Sequence, residues 1–333
     1  MPSFFETIPC FRQYRRSLLA IIFASSTFPA AVNAQSWPTK SIKIVVPYAA
    51  GGPADVVARE LAQKLTADLK QSVVIENQGG AMGVTALGTV ARAEPDGHTL
   101  LMAAFGNIVL QPILSKTGGA DLLARLRPIS TVSTSPHVLV VSAKLPIKTV
   151  KELVDYARAN PGRVSFASAG MGGTAHLGME MFKALSQTDV LHVPYKGSSG
   201  AVNDLISGQV SAMFSSLPSL QGLADKGLVR VIAATASSVS PATRNLPLMS
   251  STLPGFDYTT WYAMYAPVGT PQATIDQANA ALRRVLKDPA LELRIEPHGI
   301  ELQASSPEEV VAWTKRDTEK WTRVIREAKI AVD

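Results

Sequence analysis

RVSFASAGMGGTAHLGMEMF, residues 163–182, places three local patterns in direct succession. The apolar run at residues 163–168 predicts a β-strand, and the segment after the glycines has the character of a helix. The glycines between them let the backbone turn and approach a ligand with no Cβ in the way. Free amides at the start of a helix carry a partial positive charge. The stretch therefore predicts a strand, a glycine loop and a helix whose start is suited to an anion.

Two other segments repeat this arrangement, PYAAGGPAD at residues 47–55 and ENQGGAMGVTA at residues 76–86. In open α/β sheets such loops lie at the carboxyl ends of strands, where ligands bind. Tight turns between strand and helix explain any single loop equally well. Similar loops in two different lobes favour a ligand site between them.

Strand and helix patterns alternate along the chain after residue 36, which is typical of an α/β protein with parallel sheets covered on both faces. The last seventy or so residues instead predict successive helices that begin at prolines. The predicted helices include residues 55–70, 271–287, 289–296 and 307–328. The predicted strands are residues 41–48, 73–76, 99–104, 137–143, 163–168, 189–195, 209–214, 228–234 and 261–267.

Two places along the chain predict lobe boundaries, one near Leu145 and one in the Ser-, Pro- and Thr-rich segment 235–260. They divide the chain into a discontinuous first lobe, residues 35–145 and 256–333, and a second lobe, residues 146–255. Because the chain passes twice between the lobes, we expect a hinge there.

The N-terminal segment predicts a secretory signal peptide. Arg12, Arg15 and Arg16 precede an apolar stretch at residues 17–30, and a small-x-small pattern ends at Ala34. The apolar stretch contains serine, threonine and proline, which disfavours a membrane anchor, since a spanning helix needs about 18 apolar residues. We expect cleavage after Ala34 and export to the periplasm.

Composition narrows the possible chemistry. The single cysteine, Cys10, lies in the predicted signal peptide, which excludes disulfides, thiolate metal sites and cysteine nucleophiles from the mature protein. The net charge is +6, and the lysines and arginines are dispersed, which suits small anions better than nucleic acid. No nucleic-acid partner is expected.

The sequence gives little indication of an enzyme active site or a cofactor-binding site. Gly170, Gly172 and Ala175 fit the G-x-G-x-x-A pattern of a dinucleotide site, but the acidic residue of the next strand, Asp189, lies at its wrong end. The chain has no G-x-S-x-G, H-E-x-x-H or P-loop motif, and its five histidines lack metal-ligand spacing. We expect no cofactor, no metal and no catalytic residue.

Two polar residues near the glycine loops have two interpretations each. His176, in the first turn after the second loop, can donate a hydrogen bond to a carboxylate, or it can be a packing residue. Asp55, near the start of the first helix, favours the helix dipole and caps or buttresses the preceding loop.

Several motifs occur in an order that resembles a known family. WPTKSIKIVVPYAAGGPADVVARELAQKL, VIENQGGAMGVTA, PDGHTLLMA, LPIKTVKELVDYARANPGRVSFASAGMGGTAHL, HVPYKGSSGAVNDLISGQV and WYAMYAPVGTP are similar to segments of Bug-type extracytoplasmic solute receptors. These are the substrate-binding proteins of tripartite tricarboxylate transporters. The resemblance runs from about Trp37 to the C-terminus.

The resemblance implies an α/β, two-lobed periplasmic binding protein of type II, or Venus-flytrap, fold. It implies a monomer without enzymatic activity that closes on a small carboxylate and delivers it to integral-membrane permease subunits. The ligand-binding residues that it implies, together with those considered above, are Tyr48, Ala49, Ala50, Gly51, Gly52, Asp55, Asn107, Ser168, Ala169, Gly170, Gly172, Gly173, Thr174, His176 and Tyr195. Lys196 is a further candidate for the pocket wall.

The chain departs from the family pattern at residues 106–112 and at Gly79, where family members often have proline. The departure predicts an apolar pocket wall at residues 108–110, suited to an aromatic or longer aliphatic acid. Two other functions stay open at this stage: an exported enzyme acting on a carboxylated substrate, and a ligand-loaded partner of a membrane sensor kinase.

Overall fold

The computed structural model of the chain describes residues 37–114, 119–170, 173–195, 198–236 and 243–327. The predicted signal peptide, residues 1–34, lies outside the described residues, as do Gly172 and Lys196. Within the described ranges, no helix has both the length and the apolar character needed to cross a membrane.

Ten strands and eleven α-helices make up the described ranges. The strands are β1 (Ile42–Val46), β2 (Val73–Asn77), β3 (Thr99–Ala104), β4 (Leu126–Ser142), β5 (Val164–Ser168), β6 (Val190–Pro194), β7 (Ala212–Ser216), β8 (Val229–Ala234), β9 (Thr259–Pro267) and β10 (Glu301–Leu302). The helices are α1 (Pro53–Leu69), α2 (Val84–Ala91), α3 (Gln111–Leu114), α4 (Gly119–Leu123), α5 (Val150–Ala159), α6 (Thr174–Ser186), α7 (Ser198–Ser207), α8 (Leu217–Asp225), α9 (Gln272–Val285), α10 (Pro289–Ile295) and α11 (Pro307–Glu327). Short 3₁₀ turns occupy Ala81–Gly83, Met249–Ser251 and Glu296–His298, and Gly106–Leu110 form a π-helical turn.

The long strand β4 belongs to two sheets. Its residues 126–136 pair with β9 in a first sheet of order β2-β1-β3-β9-β4. Its residues 137–142 pair with β7 and β8 in a second sheet, where β7 continues to β5 and β6. The change from the first sheet to the second therefore occurs within β4, between Pro136 and His137. It precedes the lobe boundary predicted near residue 145, and that boundary stays a prediction.

The parallel strands of both sheets end at the same place. In the first sheet, Ala104 at the end of β3 pairs with Tyr262, near the start of β9, and the first residue of β9 pairs with Pro136. In the second sheet, Ser216 at the end of β7 pairs with His137, while β5 runs parallel to β7 and to β6. The carboxyl ends of these parallel strands therefore face the junction at Pro136 and His137.

The chain returns between the sheets beside this junction. Thr235, directly after β8, accepts a hydrogen bond from His137 N at 3.0 Å and donates one to Tyr258 O at 2.6 Å. The Tyr258 amide donates back to Thr235 O at 2.9 Å. One threonine thus joins β4 to the residues that follow β8 and to those that precede β9.

The C-terminal helix α11 packs across the same region. Trp321 contacts Phe105, which follows β3, and Tyr258, each edge-on with ring centroids 5.8 Å apart. The indole of Trp261 donates to the buried carboxylate of Asp317 at 2.8 Å. Aromatic packing and one buried polar contact therefore connect α11 to the first sheet and to the residues that lead into β9.

The predicted strands and the three C-terminal helices are confirmed, with ends shifted by a few residues. The main difference is β4, which begins at Leu126 and not at residue 137. Pro128 and Pro136 lie inside it, and proline disfavours the interior of a sheet because it lacks an N–H donor. The pairing with β9 shifts register directly after Pro128, which accommodates the missing donor.

Candidate ligand-binding site

The first glycine loop, residues 47–52, connects β1 to α1 at the junction between the sheets. Gly51 has a φ of +85°, a conformation that favours glycine. Its amide donates to Asp55 Oδ2 at 2.9 Å, so it is not available to a ligand, contrary to the prediction. Asp55 is 3% exposed. The interpretation of Asp55 as a buttress of the loop is confirmed by this contact.

A chain of polar contacts from α1 and β2 supports the first loop. Arg59 donates to Asp55 Oδ2 at 2.8 Å and to Asn77 Oδ1 at 3.1 Å. Asn77 in turn donates to Tyr48 O at 3.1 Å. The Arg59 guanidinium, together with the Gly51 amide, holds the pKa of Asp55 below its usual value. The Asp55 carboxylate is therefore ionised, Arg59 balances its charge, and its Oδ2 holds the loop.

The second glycine loop connects β5 to α6. Ser168 Oγ lies 2.9 Å from Gly170 O, 3.3 Å from Gly170 N and 2.6 Å from His192 Nε2. Gly170 has a φ of +152°, which again favours glycine. Tyr195 N donates to Ser168 O at 2.9 Å, which connects the end of β6 to the loop.

The helices after the two loops begin in the same way. Gly52 precedes α1 with φ −80° and ψ 171°, and Gly173 precedes α6 with φ −71° and ψ 167°. Neither helix has a side-chain cap on its first amides. Among the described residues, no hydrogen bond uses the amides of Ala50 or Gly52. Each helix start therefore offers backbone donors and a partial positive charge to an anion.

Histidines fill the interior behind the second loop. His176 is 3% exposed, and its ring stacks on that of His192 with centroids 3.9 Å apart and planes 5° from parallel. Its Nε2 lies 3.6 Å from Glu180 Oε1, and Lys183 lies 3.5 Å from the same carboxylate. This burial favours the interpretation of His176 as a packing residue over that of a ligand donor.

Asn107 fixes the backbone beside the first loop. It is 3% exposed, accepts from Ala104 N at 3.0 Å and donates to Met82 O at 3.0 Å. Burial raises the pKa of the nearby Tyr48 phenol. Burial raises the pKa of the neighbouring Tyr262 to about 12, so both phenols are neutral at physiological pH.

The apolar wall predicted at residues 108–110 is wrong. Ile108, Val109 and Leu110 are each at most 3% exposed and belong to the core formed by both sheets. Their apolar character follows from packing in the π-helical turn. Nothing in this segment therefore selects an aromatic or long aliphatic ligand.

The structure places the predicted residues in two groups around the junction. The first comprises Tyr48, Ala49, Ala50, Gly51, Gly52, Asp55 and Asn107; the second comprises Ser168, Ala169, Gly170, Gly173, Thr174, His176 and Tyr195. Within the second group, the Tyr195 phenol donates to Asp204 Oδ2 at 2.5 Å, which holds its ring against α7. Burial and this carboxylate raise the pKa of Tyr195 to about 12.

Four residues of this region were not predicted: Arg59, Asn77, His192 and Tyr262. Asn77 and His192 lie on β2 and β6, and each reaches a neighbouring segment only because of the strand register. Tyr262 stands near the start of β9, beside the end of β3. The sequence does show an aromatic residue near the start of this predicted strand. Placing it at the site requires knowing that β9 is antiparallel to β3, so that its start lies beside the end of β3.

A cavity of about 940 Å³ lies elsewhere, between α8, β8 and residues 243–246 on one side and residues 296–299 on the other. None of the residues of the two glycine loops lines it. This cavity is thus separate from the anion-suited helix starts.

Proteins of known structure share this fold. A chain from R. palustris, Rpa4515, solved with adipate, is 30% identical with a TM-score of 0.74, covering 89% of this chain and 99% of that one. MatC from Rhodopseudomonas palustris, solved with bound malate, is 27% identical with a TM-score of 0.68, covering 87% and 100%. Protein BugT from Bordetella pertussis is 31% identical in sequence over 317 residues, which are 93% of this chain and 96% of BugT.

A two-lobed α/β fold with two glycine loops at the junction of its sheets defines the class of periplasmic solute-binding proteins. Within that class, the model of the tripartite tricarboxylate transporter family receptor, TctC, matches residues 57–330. The chain belongs to this family, and the predicted resemblance to Bug-type receptors is confirmed.

Proposed function

We propose that this protein is a periplasmic receptor that holds a small carboxylate between its two glycine loops and delivers it to the permease of a tripartite tricarboxylate transporter. The observation that carries the proposal is the pair of matching helix starts, at Gly52 and Gly173, at the carboxyl ends of parallel strands that face one junction. Export through the predicted signal peptide, cleaved after Ala34, belongs to the same proposal.

Backbone donors explain why the ligand class is a carboxylate. A carboxylate oxygen accepts hydrogen bonds from free amides, and a helix start adds a favourable partial charge. The adipate and malate bound to the related proteins are both dicarboxylates. A dicarboxylate has one charged group for each loop, so we propose this class as the ligand.

The contacts of the predicted residues divide them into a proposed ligand-binding surface and a set of supporting residues. Ala49, Ala50, Gly52, Ala169, Gly173 and Thr174 form the proposed backbone surface, and the Tyr48 ring flanks it. The amides of Gly51 and Gly170 instead donate to Asp55 and Ser168. The supporting residues are Asp55, Asn107, Ser168, His176 and Tyr195, each of which has a polar contact to another part of the protein.

Closure of the lobes couples binding to delivery. A ligand that contacts both loops stabilises the closed form by as much as it binds that form better than the open one. Thr235, which joins β4 to the residues that follow β8 and to those that precede β9, lies where such a motion bends the chain. In the proposed mechanism the permease recognises the closed form.

A thermal-shift screen tests the carboxylate. The protein purified from cells is mixed with mono-, di- and tricarboxylates, including adipate, malate and citrate, with aromatic acids, and with a nicotinamide cofactor. A ligand at 100 times its Kd adds about 2.7 kcal/mol of stability. We expect a shift with one dicarboxylate. Shifts with the cofactor alone would contradict the proposal.

Three glycine variants locate the ligand. A Cβ at Gly52 or Gly173 meets its first neighbour at 3.7 Å or 3.4 Å, so a side chain can begin at either position. In Gly52→Phe and Gly173→Phe the ring is expected to obstruct the loops, and the thermal midpoint of each ligand-free variant reports whether it folds. Gly222→Phe on α8 is the matched control, since a Cβ there meets nothing within 4 Å. We expect the first two variants to abolish the shift and the control to keep it. Uptake of the same acid by cells lacking the receptor tests delivery.

A further inference from the structure

The Ser168 hydroxyl is the centre of the contacts that shape the second loop. It lies within hydrogen-bond distance of three atoms, Gly170 O, Gly170 N and His192 Nε2. The two Gly170 contacts close the backbone turn on itself. The contact of 2.6 Å to His192 is the shortest of the three and comes from β6, a different strand.

The number of protons fixes the direction of these bonds. A serine hydroxyl has one proton to donate and two lone pairs to accept. Gly170 N can only donate and Gly170 O can only accept, so Ser168 gives its proton to Gly170 O and accepts from Gly170 N. The remaining lone pair accepts from His192, which therefore carries its proton on Nε2.

The surroundings of His192 hold its ring in this orientation. The ring stacks on that of His176 at 3.9 Å, and the latter faces Glu180 on the same helix. The titratable groups that act on His192 are His176, Glu180 and Lys183, all from α6. Burial and the neighbouring His176 disfavour the charged form of His192, so its Nδ1 is without a proton at neutral pH.

We infer that His192 is a positioning residue for the second loop: its Nε2–H, bound to Ser168, fixes the turn at Gly170. The imidazole acts through the serine and does not contact the ligand. The link from this turn to carboxylate affinity rests on the proposed function, whereas the positioning itself does not.

Two substitutions separate the donor from the ring. His192→Phe keeps a flat ring against His176 but removes the N–H, and His192→Gln keeps an N–H donor but removes the ring. Ser168→Ala removes the acceptor. Amide hydrogen exchange of the ligand-free protein is followed in peptides that contain Ala169 and Gly170, with the thermal midpoint recorded for each variant.

We expect His192→Phe to speed exchange of the Gly170 amide by about tenfold, the change expected when one hydrogen bond is lost. Ser168→Ala removes all three contacts of the hydroxyl, so its effect should be at least as large. His192→Gln should stay near the wild-type rate. The double variant His192→Phe, Ser168→Ala should exchange no faster than Ser168→Ala alone, because the contact that His192→Phe breaks is already absent without the serine hydroxyl.

Two outcomes would overturn the inference. Equal exchange in His192→Phe and the wild type would mean that the turn holds itself without His192. Equally fast exchange in His192→Gln and His192→Phe would mean that ring packing, and not the donor, holds the loop.

The affinity of the same variants for the dicarboxylate found in the screen tests the connection to function. Parallel losses of exchange protection and affinity support it. Faster exchange with unchanged affinity would remove the turn from the ligand site and leave the positioning by His192 intact. Loss of binding in Gly52→Phe tests the proposed function independently of His192.

Discussion

The two glycine loops have nearly the same backbone at the helix start but different support. The first is held by a buried carboxylate, Asp55, which binds the Gly51 amide and is neutralised by Arg59. The second is held by a neutral pair, Ser168 and His192. A charged carboxylate thus holds one loop, and uncharged hydrogen bonds hold the other.

This difference shows which property the proposed ligand site requires. An anion site made of backbone amides depends on the backbone conformation, so the side chains behind the loop can differ as long as they hold that conformation. They must also avoid a net negative charge near the ligand. Arg59 meets this requirement for the first loop. The second loop meets it with a neutral pair, and the Glu180 carboxylate behind that pair is accompanied by Lys183.

The largest expected effect is the loss of the charged support. Asp55→Ala leaves the Gly51 amide and Arg59 without their shared acceptor, and hydrogen bonds to charged groups contribute about 1.5–3 kcal/mol. We expect the free energy of unfolding to fall by about 2–3 kcal/mol. Urea unfolding followed by tryptophan fluorescence measures it.

The matched control for this variant is on the same helix. Asp68, in the last turn of α1, pairs with Arg284 at 2.7 Å, but the Arg284 side chain is 57% exposed. Asp68→Ala should therefore cost less than about 1 kcal/mol. Equal losses in the two variants would mean that Asp55 is an ordinary surface ion pair and not the support of a loop.

Acid should affect the second loop before the first. Burial, reinforced by His176, lowers the pKa of His192 from 6.5 to about 4, so between these values the unfolded chain binds a proton that the folded chain does not. Stability must then fall as pH decreases from 6.5 to about 4. The pKa of Asp55 lies below 3.8, so its contribution is lost only below that pH.

The pH dependence can be assigned by substitution. His192→Gln removes one titrating group, so its free energy of unfolding should decline less steeply between pH 6.5 and 4 than that of the wild type. A slope should remain, since burial also lowers the pKa of His137 to about 4. Identical slopes in variant and wild type would contradict a depressed pKa for His192.

The sequence predicted the parts of this site that depend on local conformation. Glycines at residues 51 and 170 have positive φ angles, and both predicted loops end at helix starts. Asp55 was recognised because its partner Gly51 lies only four residues away. Local patterns contain this information because neighbours in sequence are neighbours in space.

The parts that depend on strand register were not predicted. His192 lies 24 residues from Ser168, and Asn77 lies 29 residues from Tyr48. Their contacts require knowing which strands are adjacent and how they are aligned. The long strand β4 was missed for a related reason, because the prolines inside it resemble breaks until the bulged pairing with β9 is known.

The smallest effect should come from Arg59, and it decides how the first loop is held. Its side chain is 56% exposed, so its ion pair with Asp55 is largely solvated and contributes no more than about 1 kcal/mol. We expect Arg59→Gln to lower the free energy of unfolding by about 0.5 kcal/mol. Raising the salt concentration to about 1 M, where the screening length is about 3 Å, should remove most of the difference from the wild type.

A loss as large as that of Asp55→Ala would mean that the charge pair supports the loop. A small, salt-dependent loss means that the bond from the Gly51 amide to a buried acceptor does so, and the two loops then share one principle, a backbone turn held by a single side-chain oxygen.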